Sequence, residues 1–309
     1  MKIPRPSARM PHLTQLRNLK MARSAHAYVR GSTVQFYEWL HSLPGRRLPH
    51  GPAIWICGDC HAGNLGPTGD NNGRIDMHIR DLDQTVPLGK HFWSLSRAEK
   101  SALEHVCASD DIHQLVTSLK GRPKDAKVEL LDSAYWVKGC SSLGLMRYAV
   151  LLGVGDKDDQ EYCLIDIKEA VGAAAPRAPR AKMPRDNGRR VVEGARHLSP
   201  GLGERMVATR FLDHGFFIRE LLPQDMKLEL DELSETDAMH AAGYLARVVG
   251  IAHARQMDRA TRKAWMAVLQ ENRTRQLDAP SWLWTSVVQL VGSHEQGYLN
   301  HCRRYALEH

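Results

Sequence analysis

The stretch that most limits the fold is residues 133–170, "SAYWVKGCSSLGLMRYAVLLGVGDKDDQEYCLIDIKEA". It contains three runs rich in β-branched and aromatic residues, separated by the glycine-bearing turns "KGCSSLG" and "GVGDKDDQE". Such spacing predicts three consecutive antiparallel strands. Two more strands are expected in "MVATRFLDH" and "GFFIREL", around a turn at His214-Gly215, with a short helix "VVEGARHL" before them. The flanks read differently. Residues 12–42 carry apolar positions at helical spacing, interrupted near Gly31. Residues 92–130 and the chain from 234 onward are also helical in pattern, with Ser234 and Asp237 placed to cap the first of the C-terminal helices. A β-rich segment between helical segments predicts an α+β protein of two lobes, the helical lobe being built from both ends of the chain.

The 309 residues are enough for two such lobes. The net charge of +7 favours acidic or phosphate-bearing partners. No run of 18 apolar residues occurs, so no membrane span is expected. The N-terminal stretch is basic and lacks the apolar core of a secretory signal. The six cysteines are therefore expected as reduced thiols in a cytoplasmic protein.

Within the first helical region, "PAIWIC" and "RIDMHI" are expected as strands of a hairpin that leads into two polar segments, "GDCHAGN" and "RDLDQT". Cys57, Cys60 and His61 fit the C-x-x-C-H pattern of haem attachment. That chemistry requires export, and a structural zinc would need a fourth ligand that is not evident. The same stretch places Asn64 five residues after Asp59, the D-x-x-x-x-N spacing of a kinase catalytic loop. Phosphoryl transfer needs a carboxylate to orient the attacking hydroxyl, and oxygen ligands for Mg²⁺. Asp59 suits the first role. Asn64 and Asp81, with Asp83 as a further carboxylate, suit the second. Asp, Asn and Gly also cap ordinary turns, so this segment alone does not decide the matter.

Downstream, Gly139, Ser141, Ser142 and Gly144 form a small-residue turn through which backbone N–H groups can approach phosphates. Lys168, in "LIDIK", resembles the strand lysine of V-A-I-K, which contacts nucleotide phosphates. Glu193 is a candidate carboxylate to orient it. "RELLPQDMK", from Arg219 to Lys227, is expected as a hinge beside the nucleotide base. Each has an ordinary alternative: a plain hairpin, an edge lysine, a surface glutamate. Cys57 and Cys60 are expected as small core-side residues, His253 as a hydrogen-bonded interdomain histidine, and "SWLWTSVVQLV" as core. The catalytic-type loop precedes the nucleotide-type lobe, the reverse of kinase order. A circular permutation accounts for this: residues 1–130 as the catalytic-loop part of the helical lobe, 131–222 as the nucleotide-binding lobe, 223–309 as the hinge and the rest of the helical lobe.

"AYVRGS", "GDCHAGNLG", "IRDLDQT", "GCSSLG", "LIDIKEA", "RELLPQDMK" and "GIAHARQ" together resemble, in this order, the signatures of a bacterial family called domain of unknown function 2252. The G-D-x-H-x-x-N loop and the acidic segment after it are also similar to those of aminoglycoside phosphotransferases. That resemblance implies Asp59 as the catalytic Asp, Asn64 and Asp81 as metal ligands, and His61 as the loop histidine. Arg30, in "YVRGS", follows the likeness to the bacterial family and would reach phosphate or orient Asp59. Arg80 departs from the kinases, which have an apolar residue before the metal Asp. Cys140 and Leu143 depart from the smaller or branched residues usual in the family's turn. The expectation is an ATP- and Mg²⁺-dependent phosphotransferase with a small-molecule or protein hydroxyl as acceptor; nucleic acid is not an expected partner. A nucleotide-binding module without turnover, and a basic interaction protein without a nucleotide site, are the alternatives.

Overall fold

The computed structural model describes residues 4–43, 48–58, 65–79, 92–137, 143–156, 159–179, 181–222, 234–271 and 280–306. Its centre is an antiparallel sheet. Three consecutive strands, β4 (Val128–Trp136), β5 (Arg147–Val154) and β6 (Glu161–Glu169), form a meander. Two further strands, β7 (Met206–Phe211) and β8 (His214–Leu221), complete it, with β8 paired to β6. A two-residue strand, β3 (Phe92–Trp93), adds to the β4 edge, giving the order β3-β4-β5-β6-β8-β7. The turn between β7 and β8 lies at Leu212 and Asp213, two residues earlier than the His214-Gly215 expected from sequence. Both adopt positive φ, 47° and 63°. This pair of left-handed residues matches the right-handed twist of the flanking strands, so geometry prevails over the cost to a branched residue.

Side chains alternate along these strands, and the two faces are covered differently. One face presents Tyr148, Val150, Ile165, Ile167, Phe216 and Ile218, all buried. Against it pack α1 (Arg9–Arg23), α4 (Arg97–Cys107) and α5 (Asp110–Thr117), through Leu13, Leu103, Val106, Ile112 and Val116. The sheet's packing unit thus takes in elements upstream of residue 131, because five strands leave an apolar face that their own segment cannot cover. A buried polar knot ties these helices to the sheet. Glu99 forms a reciprocal capping box with Ser96, accepts from Arg9 Nη1 at 2.7 Å, and accepts from the Tyr148 hydroxyl at 3.1 Å. The opposite face receives α6 (Asn187–Leu198) and the short α7 (Pro200–Gly203), through Val192 and Leu202 on Met206 and Phe217. At the start of α6, a Cβ on Gly188 would stand 2.3 Å from the Phe216 carbonyl oxygen, so only glycine lets the helix seat there.

The helical part comprises α2 (Ala25–Gly31), α3 (Thr33–Ser42), α8 (Glu235–Ala254), α9 (Arg259–Glu271) and α10 (Ser281–Tyr305). The 12–42 region breaks at Ser24 as well as at Ser32, next to Gly31, giving three helices where two pieces are expected. Ser24 caps α2 by accepting from Ala27 N–H. α10 is fastened to α1 near its C-terminus: the Tyr298 hydroxyl donates to Ala22 O, and His301 Nε2 lies 2.8 Å from Asn18 O. Upstream, Trp284, Val287, Val288 and Val291 are exposed among the described residues, where sequence periodicity alone predicts core. No helix among the described residues is long and apolar enough to cross a membrane.

The sequence also predicts a strand at "PAIWIC". Residues 51–57 form none. The backbone of Trp55 instead finds its partner in a side chain: its N–H donates to Gln256 Oε1 at 2.7 Å, and its carbonyl accepts from Gln256 Nε2 at 3.0 Å. One amide side chain satisfies what a neighbouring strand would otherwise supply. The hairpin partner of "RIDMHI" is the segment after the polar loop: β1 (Leu65–Gly69) pairs antiparallel with β2 (Ile75–Ile79).

Candidate active site

Of the residues expected in the site, Asp59, His61, Asn64, Asp81, Asp83, Gly139, Ser141 and Ser142 lie outside the described residues. Their flanks are well defined. Leu65 directly follows Asn64, Ile79 directly precedes Arg80, and Leu65 and Ile79 are paired. The two acidic segments are therefore attached at the same end of one hairpin. Gly58, just before Asp59, accepts a hydrogen bond through its carbonyl from the Tyr37 hydroxyl of α3. The Trp55 ring stacks on His197 of α6, with centroids 5.5 Å apart. Cys57, half-buried, packs beside Val248 and Ala252 of α8.

The β1–β2 hairpin is bolted to the main sheet by a fully buried arginine. Arg205 donates through one terminal nitrogen to Gly69 O of β1 and through the other to Glu220 O of β8. Inside the hairpin, Thr68 Oγ1 lies 2.6 Å from His78 Nδ1. Burial lowers the His78 pKa; Asp76 opposes this and Arg255 adds to it. His78 is thereby kept neutral at physiological pH.

The second part of the site lies on the sheet face opposite the apolar core. Register places Arg147 opposite Lys168, and Asp166 opposite Arg219. All four are buried. Arg147 grips Asp166 bidentately, Nε to Oδ1 and Nη2 to Oδ2, both at 2.8 Å. Arg219 Nη2 lies 3.5 Å from Asp166 Oδ2. Burial alone would raise the Asp166 carboxyl, but Arg147, Lys168 and Arg219 hold it well below the usual carboxylate range. Arg147 also lies over the Trp136 ring, 4.5 Å from its centroid. Beyond its ion pair with Asp166, Arg219 Nε and Nη2 are buried with no hydrogen-bond acceptor among the described residues, so this guanidinium keeps donor capacity that an anion could use.

Gly144, with φ +97°, occupies the left-handed region that the end of the glycine turn requires. That turn joins β4 to β5 beside the Arg147–Lys168 pair. Lys168, 6 % exposed, is thus at the strand end nearest the turn. Glu193 does not join this group: its ion-pair partners are Arg196 at 3.8 Å and His197 at 3.6 Å, on its own helix. Among the described residues, Asp166, two residues earlier on the same strand, is a carboxylate that interacts electrostatically with Lys168. Arg30 is half-buried in the last turn of α2. Among the described residues no group of three or more His, Cys, Asp or Glu could hold a metal ion.

Asp166 and Arg147 were not singled out by motif. The signal was the alternation in "LIDIK": Ile165 and Ile167 belong to one face, which puts Asp166 on the face of Lys168.

A family described as "Uncharacterized protein conserved in bacteria (DUF2252)" matches residues 9–103 and 86–304. The chain belongs to this family. No curated protein and no solved structure matches it. Membership in DUF2252 carries no activity, so the chemistry rests on the chain's own residues. These include a cavity of about 980 Å³ in the helical part, whose wall runs from Ile56 to Gly58, the residues leading into the polar loop, and across to α3 and α10.

Proposed function

We propose that this protein is an ATP- and Mg²⁺-dependent phosphotransferase with a kinase-like, circularly permuted arrangement of its lobes. The observation that carries the reading is the cationic cluster at the end of β5 that follows the glycine segment: Lys168 beside Arg147, with Arg219 holding two buried nitrogens that have no hydrogen-bond acceptor among the described residues. The order of parts along 131–222 supports it. The turn lies between the first two strands of the meander, the lysine on the third, and a helix follows before the last two strands. This is the arrangement of Gly-rich loop, strand lysine and following helix in protein kinases. Asp166 stands where V-A-I-K has alanine, so the base would meet a more polar floor than in that pattern.

The same face continues along β6 and β8 away from Lys168. β8 runs from Phe217, opposite Lys168, to Leu221, opposite Leu164. Four residues of strand span about 13 Å. At that far end Leu164 and Tyr162 are exposed, an apolar platform suited to a purine, and the chain there enters the segment expected as the hinge.

In this reading Lys168 and Arg219 bind phosphate oxygens and orient them. Asp59 orients the acceptor hydroxyl and takes its proton, with His61 and Arg30 supporting that loop. Asn64 and Asp81, aided by Asp83, would hold Mg²⁺, which neutralises charge developing on the phosphoryl oxygens when bound. The test is differential scanning fluorimetry followed by a transfer assay. Wild type is expected to melt higher with ATP and Mg²⁺ than with either alone, and Asp59→Ala to keep that shift while losing turnover. A wild type whose melting is unmoved by ATP and Mg²⁺ overturns the reading. A shift in wild type without any ATP consumption identifies a nucleotide-binding module instead.

A further inference from the structure

The cavity in the helical part bears on which hydroxyl is phosphorylated, given the function proposed above. Its volume, about 980 Å³, is at the upper end of the range for small-molecule sites. One side consists of Ile56, Cys57 and Gly58, so the cavity opens where the chain reaches Asp59. Val29 and Phe36 form a second wall; Val287, Val291 and Leu299 of α10 form a third. This explains why those α10 residues are exposed: they line a hollow rather than a packed core. Among the described lining residues there is no Lys or Arg, and Glu295 is the sole carboxylate.

That chemistry discriminates between acceptors. An anionic acceptor would need cations that the wall lacks, despite the net charge of +7. An amino sugar carries several ammonium groups and would need several carboxylates; the described wall has one, Glu295, and its other polar side chains, Thr33, Tyr37, His253, His294 and Tyr298, include none. One polar atom stands apart. His253 lines the cavity, and its Nε2 is buried without a hydrogen-bond partner. Burial lowers the pKa of this imidazole, so it is neutral at physiological pH and able to pair with a hydroxyl.

We infer that the acceptor is a neutral alcohol with an apolar body, seated in this cavity with its hydroxyl toward Gly58, and that His253 contacts its polar end. The transfer balances simply. The alcohol oxygen forms a bond to the γ-phosphorus of ATP, the bond from that phosphorus to the β,γ-bridging oxygen breaks, the hydroxyl proton passes to Asp59, and ADP leaves. An alkyl phosphate is the product.

The experiment uses n-octanol as probe and has two independent arms. Calorimetry without nucleotide is expected to show saturable binding of one octanol per chain. Val291→Arg, which puts a charge on the wall at an exposed helix position, is expected to weaken binding at least tenfold; Val287→Arg serves equally if the first variant's unliganded melting temperature has fallen. The second arm adds ATP and Mg²⁺ and looks for octyl phosphate by mass, with kanamycin as the polar comparison. Absence of octanol binding, wild-type affinity in the arginine variants, or phosphorylation of kanamycin but not octanol overturns the inference. Because calorimetry needs no nucleotide, its failure is separable from a failure of ATP and Mg²⁺ to raise the melting temperature, which would sink the phosphotransferase reading itself.

Discussion

The two faces of the central sheet come from the same strands and differ by one residue in register. On one, Tyr148, Ile165, Ile167, Phe216 and Ile218 merge into an apolar core under α1, α4 and α5. On the other, Arg147, Asp166, Lys168 and Arg219 are equally buried, yet polar. Burial alone therefore does not tell structure from chemistry. What separates the faces is charge: the apolar face admits one arginine at its margin, Arg9, held by Glu99, whereas the other gathers three cations, Arg147, Lys168 and Arg219, around the single carboxylate of Asp166. Buried charge lowers stability unless its partners are well placed, so a cluster of this kind is a poor way merely to hold a sheet together.

The comparison breaks most sharply at Asp166. Asp166→Ala leaves Arg147 and Arg219 buried without their carboxylate, and the expected loss is about 3–5 kcal/mol in urea unfolding. A loss below ~1 kcal/mol would mean that the cations relax to solvent and the face is not sealed. The same residue sets an acid dependence. Its folded pKa lies below the unfolded value, so between the two the unfolded chain binds more protons. The stabilisation is complete above about pH 4 and is lost as pH falls toward the folded pKa. Asp166→Asn, which cannot titrate, should flatten that part of the acid profile.

The next largest effect is on rate. Lys168→Met is expected to reduce phosphoryl transfer by about 10²–10³ while unfolding remains cooperative. Undiminished transfer would remove the lysine from the site. On the apolar face, Ile167→Val should cost only about 0.5–1.5 kcal/mol and leave the nucleotide-induced melting shift intact. The smallest effect is expected at Glu193, half-buried and, among the described residues, paired within its own helix. Glu193→Gln should change stability by less than about 0.5 kcal/mol. A large loss of the nucleotide shift in that variant would restore Glu193 as the partner of Lys168.

Much of the sheet was legible because strand runs and glycine turns are local signals. β5, β6 and α6 fall where periodicity puts them, β4 begins at Val128, within the stretch to 130 whose pattern reads as helical, and Ser234 caps α8 by accepting from Asp237 N–H, as expected. Lys168 was legible by motif. The charged cluster was not, because it is assembled by register: Arg147 and Arg219 lie 19 and 53 positions from Asp166, and only strand pairing brings them together. The exposed α10 residues misled for a related reason. Helical periodicity reports that a face is apolar, but not whether a neighbouring helix or a hollow meets it. "PAIWIC" failed as a strand because β-propensity describes residues suited to extended backbone and does not name the pairing partner.

That partner, Gln256, has a consequence for how the protein ages. Its Nε2 donates to the carbonyls of both Trp55 and Ala252. Deamidation to glutamate would replace that donor with a carboxylate oxygen facing two carbonyl oxygens, reversing an attraction into a repulsion. Both backbone hydrogen bonds of Trp55 run through this one amide, so the chemical lifetime of a single side chain bears on how firmly the segment leading to Asp59 stays seated.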